Sequence, residues 1–82
     1  MPKQKEKYQG YSNYETWNVI LWIGNDESLY TLAKARKTYA AFKKAMRVIY
    51  GGSAIAFETP DNIAWNDSGI NSKEVEAFFK DI

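Results

Sequence analysis

Histidine and cysteine are both missing from this 82-residue chain. Without histidine it lacks the commonest general base and the commonest zinc ligand. Without cysteine it has neither a disulfide framework nor a thiolate metal site. A serine nucleophile would need a lysine or a carboxylate as its base, and no spacing of Ser, Lys and Glu singles out such a set. Glu58 and Asp61 flank Pro60 and read as a solvated turn rather than an acid/base pair. Asp61, Asn66 and Asp67 offer oxygen donors but do not follow the order of a calcium loop. Gly51-Gly52 lacks the Lys-Ser/Thr that completes a phosphate-binding loop. The expectation is a non-enzyme with no catalytic residue, no metal and no cofactor. No apolar run approaches the roughly 18–20 residues that span a bilayer. Met1 to Gly10 is polar and basic, unlike a secretory signal, so a cytoplasmic protein without membrane contact is expected.

A chain of this length forms one small domain, and its core is marginal unless densely filled. Here the filling is aromatic: three Trp, six Tyr and four Phe. Net charge is only +1, but it is laid out in blocks. Residues 1–10 carry Lys3, Lys5 and Lys7 against Glu6, and read as a flexible basic arm whose end Tyr8 and Tyr11 could anchor. Residues 11–82 read as a single helical domain. Within it, residues 28–57 hold Lys34, Arg36, Lys37, Lys43, Lys44 and Arg47 and no acid at all. Residues 58–82 are net acidic. Such asymmetry marks either a binding face or two parts of one domain that neutralise each other.

The hydrophobic pattern predicts an all-α or mostly α fold: a short buried helix, a long amphipathic helix and a C-terminal helix. Ser12 and Glu15 have the spacing of a capping box, and Gly24-Asn25 supplies a stop signal. A first helix over about residues 13–23 follows. On it Tyr14, Trp17, Ile20 and Leu21 share a broad face, with Trp17 read as core. From Leu29 to Tyr50 one continuous helix places Leu32, Ala35, Tyr39, Phe42, Ala45, Met46 and Ile49 on one arc. Arg36, Lys37, Lys43, Lys44 and Arg47 fall opposite. Leu29 and Val48 violate that pattern, and a break near Thr38 is the alternative. Residues 53–65 are open between a minor hairpin and an ordered aromatic loop, with a turn at Thr59-Pro60-Asp61-Asn62. Asn71 and Glu74 repeat the capping-box spacing, and Val75, Phe78, Phe79 and Ile82 recur as on an amphipathic helix.

Two sets of residues carry a resemblance. Asn13-Tyr14-Glu15-Thr16-Trp17-Asn18-Val19, then Leu21-Trp22-Ile23 and Asn25-Asp26-Glu27, resembles a family of small uncharacterised phage and mobile-element proteins. The later Thr59-Pro60-Asp61 with Trp65 and Asp67 looks like the same family's C-terminal part. The resemblance implies a small phage-type accessory protein, of the kind that often inhibits host defences, anti-CRISPR proteins included. It implies origin rather than chemistry.

The function expected is therefore binding. The candidate contacts are Arg36, Lys37, Lys43, Lys44 and Arg47 with Trp22 and Trp65, since Trp is favoured at binding hot spots. The partner would be a host protein or ribonucleoprotein complex in the host cytoplasm. A nucleic acid engaged by the same basic face is the alternative, and a structural or regulatory homo-oligomer a third.

Overall fold

Asn13 opens the first helix. Its side-chain Oδ1 accepts the backbone N–H of Thr16 at 2.9 Å, as an N-cap does. The structure, a computed structural model, describes residues 8–82, so the first seven residues of the expected basic arm lie outside it. Among the described residues there are four α-helices and no β-strand: α1 (Tyr14–Asn25), α2 (Glu27–Arg36), α3 (Tyr39–Tyr50) and α4 (Ser72–Asp81). A single 3-10 turn, Ala54–Ala56, follows α3. The all-α expectation holds. The cap, however, is Asn13 and not Ser12, and α1 runs on through Gly24 to Asn25.

The core face of α1 is Thr16, Val19, Ile20 and Ile23, spaced i, i+3, i+4, i+7. Trp17 lies one residue off that stripe and is only half-buried, which corrects its assignment to the core. It sits instead in an aromatic trio with Tyr8 and Tyr14, ring centroids 4.9 and 5.6 Å away. Tyr8 reaches it through a tight turn in which Tyr8 and Tyr11 exchange backbone hydrogen bonds of 2.7 and 2.8 Å. Gln9 and Gly10 at its centre both have positive φ, as a type I′ turn requires. Tyr8 thus packs against the helical body, as an anchor would.

The continuous helix over 29–50 does not form; the chain breaks between Arg36 and Tyr39. Lys37 adopts the left-handed conformation (φ 70°) and ends α2, its N–H on the Ala33 carbonyl. Thr38 then caps α3 through its hydroxyl on the Ala41 N–H. The break explains why Leu29 misfits a single arc. With α2 free to rotate relative to α3, Leu29 and Ala33 both reach the core. The N–H of Tyr39 at the start of α3 also finds the Glu76 carboxylate of α4 at 2.9 Å, a favourable charge for the positive end of the dipole.

Phe42 is the centre of the aromatic core. Tyr39 stacks on it at 6.0 Å, and Trp65 and Phe79 meet it edge-on at 5.6 and 5.5 Å, the arrangement ring quadrupoles favour. Two of these rings also anchor the 53–70 segment. The Tyr39 hydroxyl donates to the Trp65 carbonyl at 2.7 Å, and the Trp65 indole N–H to the Ile55 carbonyl at 2.6 Å. Burial, with the nearby Asp67 charge, pushes the Tyr39 phenol well above its usual range, so it stays a neutral donor. The hairpin reading of 53–65 reduces to one antiparallel bridge between Glu58 and Ala64, around a turn with Asn62 at φ 68°. On the far side, α1 and α4 cross closely at Gly24, where an added Cβ would come within 3.3 Å of the Phe78 ring.

The break makes a prediction. Lys37→Gly is expected to be neutral or stabilising by up to about 1 kcal/mol, because glycine adopts the left-handed conformation without penalty. Lys37→Val is expected to cost about 1–2 kcal/mol. Urea unfolding of the three proteins checks this; an unbroken helix would reverse the order, since glycine inside a helix costs about 1 kcal/mol.

Candidate functional site

The two sequence sets that carry the resemblance meet in space. Asn18, fully buried on the side of α1 away from the core stripe, donates its amide to the Asp61 carboxylate at 2.7 Å. Its Oδ1 accepts the Thr59 hydroxyl at 2.7 Å. The Thr59 oxygen in turn accepts the N–H groups of Asp61 and Ile63, each at 3.2 Å. One turn further along α1, the Trp22 indole N–H donates to the same Asp61 oxygen at 2.9 Å. Residues i and i+4 share a helix face, so Asn18 and Trp22 together clamp the Thr59-Pro60-Asp61 turn onto α1.

A second clasp joins the starts of α1 and α4. Asn71 caps α4 by accepting the N–H groups of Lys73 and Glu74. Neither capping box closes on itself. The Glu74 carboxylate accepts the Ser12 N–H at 2.9 Å, and the Asn71 N–H goes to the Thr16 hydroxyl at 2.8 Å. Asn13 adds a bond of 2.6 Å to the Gly69 carbonyl. The Asn-Tyr-Glu-Thr-Trp-Asn stretch is thus a set of handles for the distant C-terminal segment. Asn13, Thr16 and Asn18 are bound internally, and among the described residues no buried side-chain nitrogen or oxygen lacks a partner.

That arrangement relocates the expected aromatic contacts. Trp65 is only 2% exposed and belongs to the core around Phe42, so it is removed from the candidate contacts. Trp22 is half-buried, packed on the core and tied to Asp61. Both rings are held because the 53–70 segment folds back over α1 and α3, which local sequence spacing does not reveal.

The basic residues fare differently. Lys43, Lys44 and Arg47 line one hollow of about 280 Å³ together with Asn66. Lys43 Nζ donates to Asn66 Oδ1 at 3.2 Å and lies 5.0 Å from the Tyr39 ring centroid. Arg36 faces Lys44 across a neighbouring hollow of about 240 Å³, floored by Ala41, Ala45, Val48 and Ile49. Lys37 is exposed at the αL turn and lines neither hollow. Arg47 lies 5.7 Å from the ring of Phe57. Phe57, Val48 and Ile49 are 52%, 78% and 54% exposed. Ile49 was expected on the core arc of a continuous helix. The outer side of α3 therefore sets cations beside uncovered apolar side chains.

Sequence reasoning missed Val48, Ile49, Phe57 and Asn66 as members of this face. Val48 gave a signal by violating the amphipathic pattern; Phe57 and Asn66 gave none, since their proximity to α3 depends on the loop. Among the described residues no group of three or more Asp or Glu is placed to hold a metal ion, and no helix is long and apolar enough to cross a membrane.

Residues 4–82 match a family of unknown function, DUF7249, and the chain belongs to it. No curated protein and no solved structure matches the chain.

Two predictions follow from the clamp. Asn18→Ala leaves the Thr59 hydroxyl and the Asp61 carboxylate without their shared donor and acceptor, and is expected to cost about 2–3 kcal/mol by chemical denaturation; Asn25→Ala, on the exposed end of α1, is the control. The bonds from Asn18 and then Trp22 hold the Asp61 carboxyl below its usual range. A carboxyl depressed in the folded state contributes stability above its unfolded pKa and loses it as pH falls through the folded value. Thermal melts should therefore fall more steeply below about pH 4 for the parent than for Asp61→Asn, which has no proton to gain.

Proposed function

We propose that this family member acts by binding and not by catalysis. It is a small phage-type accessory protein that lays the outer side of α3 on an acidic surface of a host protein or ribonucleoprotein complex and blocks it, as an inhibitor of host defence such as an anti-CRISPR would. The host cytoplasm is the compartment this reading requires. The phage-type part rests on the resemblance of the Asn-Tyr-Glu-Thr-Trp-Asn and Thr-Pro-Asp stretches. The binding part rests on one observation: Lys43, Lys44 and Arg47 gather round a single hollow, with exposed Val48 and Ile49 in the adjoining hollow that shares Lys44 and exposed Phe57 beside Arg47. Uncovered apolar side chains beside like charges give a protein partner something to bury while the cations steer its approach. The apolar contacts in this reading are Val48, Ile49 and Phe57, in place of Trp22 and Trp65.

A nucleic-acid partner is the second reading, favoured by the run of six cations without an acid over residues 28–57. Phosphate contacts alone carry a steep salt dependence. An interface that also buries apolar side chains loses much less.

The combined variant Lys43→Glu, Lys44→Glu, Arg47→Glu tests both. It is expected to keep the helical spectrum and to lose little melting temperature, because Lys44 and Arg47 are exposed and the Lys43 bond to Asn66 lies at the surface. Partner association should slow by about tenfold or more, while the parent complex survives a rise from roughly 50 to 200 mM salt. A loss of roughly a thousandfold over that salt range marks phosphate binding instead. Unchanged binding by the variant sinks both readings.

A further inference from the structure

The basic hollow and the apolar hollow beside it share Lys44. The apolar hollow in turn shares Ile49 with a third and larger one, about 490 Å³, formed where Thr31, Leu32 and Ala35 of α2 face Ile49 and Tyr50 of α3. The three are thus one band across the outside of α2 and α3, with an order to it. One end is cationic. The middle is floored by Ala41, Ala45, Val48 and Ile49. The other end is a largely apolar groove between two helices, with Glu27 at its rim.

Resting on the docking face proposed above, we infer that this band seats one amphipathic helix of the partner protein. Its apolar ridge lies over Ile49 and in the α2/α3 groove, and a carboxylate at one end sits among Lys43, Lys44, Arg47 and Asn66. Charge complementarity argues for the acid, since the hollow at that end is lined by Lys43, Lys44 and Arg47 and by no anion. A groove between two helices accepts the side-chain ridge of a third, which is how helices are read by apolar grooves. The aliphatic floor argues against a phosphate backbone, which has no apolar surface to bury against Val48, Ile49 and Leu32 and would lose its hydration over them. A second copy of this chain does not offer the complementary helix. Its own acidic helix, α4, has Glu74 accepting the Ser12 N–H and Glu76 accepting the Tyr39 N–H.

The test uses the full chain and synthetic helical peptides of about 18 residues, long enough to hold some helix in water. One carries leucines at i, i+3, i+4 and i+7 bordered by glutamates at one end. A second has lysines for those glutamates, and a third serines for the leucines. Amide chemical shifts give both the affinity and the place of binding. The glutamate–leucine peptide is expected to bind at least about tenfold more tightly than either control, with shifts at Lys44, Val48, Ile49 and Leu32. Ile49→Asp and Lys44→Glu should each weaken it by about tenfold without changing the melting temperature, and Lys44→Glu with Arg47→Glu should move the preference to the lysine peptide. The inference is overturned if the three peptides bind alike or not at all, or if Ile49→Asp leaves binding intact. It is also overturned if duplex DNA displaces the glutamate–leucine peptide, or if sedimentation shows a dimer that Ile49→Asp dissolves. Binding of the host complex separates the two levels. If the triple charge reversal abolishes it and Ile49→Asp does not, the docking face stands and the helix-seating inference falls. If neither variant affects it, both fall.

Discussion

The Asn18 amide sits at zero exposure between a threonine hydroxyl and an aspartate carboxylate, both from a turn more than forty residues away in the chain. A buried amide is tolerated only if its donors and acceptor are met, so this residue commits the chain to one placement of the Thr59-Pro60-Asp61 turn. The rest of the 53–70 segment follows from that placement. Trp65 is drawn over Phe42, the Trp65 carbonyl meets the Tyr39 hydroxyl, and the segment ends beside Thr16, where Asn71 starts α4. In a chain too short for a large core, a few buried polar bonds thus specify a register that the apolar contacts alone would leave looser.

The same economy explains where the surface is left open. α1 is covered on two sides, by the core along Thr16, Val19, Ile20 and Ile23 and by the loop over Asn18. α4 closes the starts of α1 and α3 with its carboxylates. α3 presents an outer side that no other described element covers, and there exposed Val48 and Ile49 fall beside Lys43, Lys44 and Arg47. An uncovered apolar strip on so small a protein is costly to solubility, and the cations around it offset that cost.

The break at Lys37 belongs to the same logic. A continuous helix would have kept Leu29 off the core. Breaking it lets α2 turn Leu29 and Ala33 inward, and opens the groove in which Ile49 faces Leu32 and Ala35. The strained backbone at Lys37 is small beside the burial of one leucine, worth roughly 1.5–3 kcal/mol, so packing wins over helix continuity.

Periodicity and capping residues by themselves determined that this chain is helical. They located α1 to within two residues at either end, predicted α4 from its Asn71 cap and its Val75, Phe78, Phe79 spacing, and put Lys43, Lys44 and Arg47 on the outside of α3. These are local properties, set within one or two turns of helix, and local sequence carries them. Which tryptophan is buried was decided only by tertiary structure. Trp17, with the strongest local claim to the core, lies half outside it, while Trp65, in an irregular stretch, lies within. The choice between one helix and two at Thr38, the turning of Glu74 to the Ser12 N–H, and the meeting of Phe57 and Asn66 with α3 were settled in the same way. Each depends on a hydrogen bond or a packing contact between residues far apart in the chain, and such a contact leaves no period and no spacing in the sequence to be read.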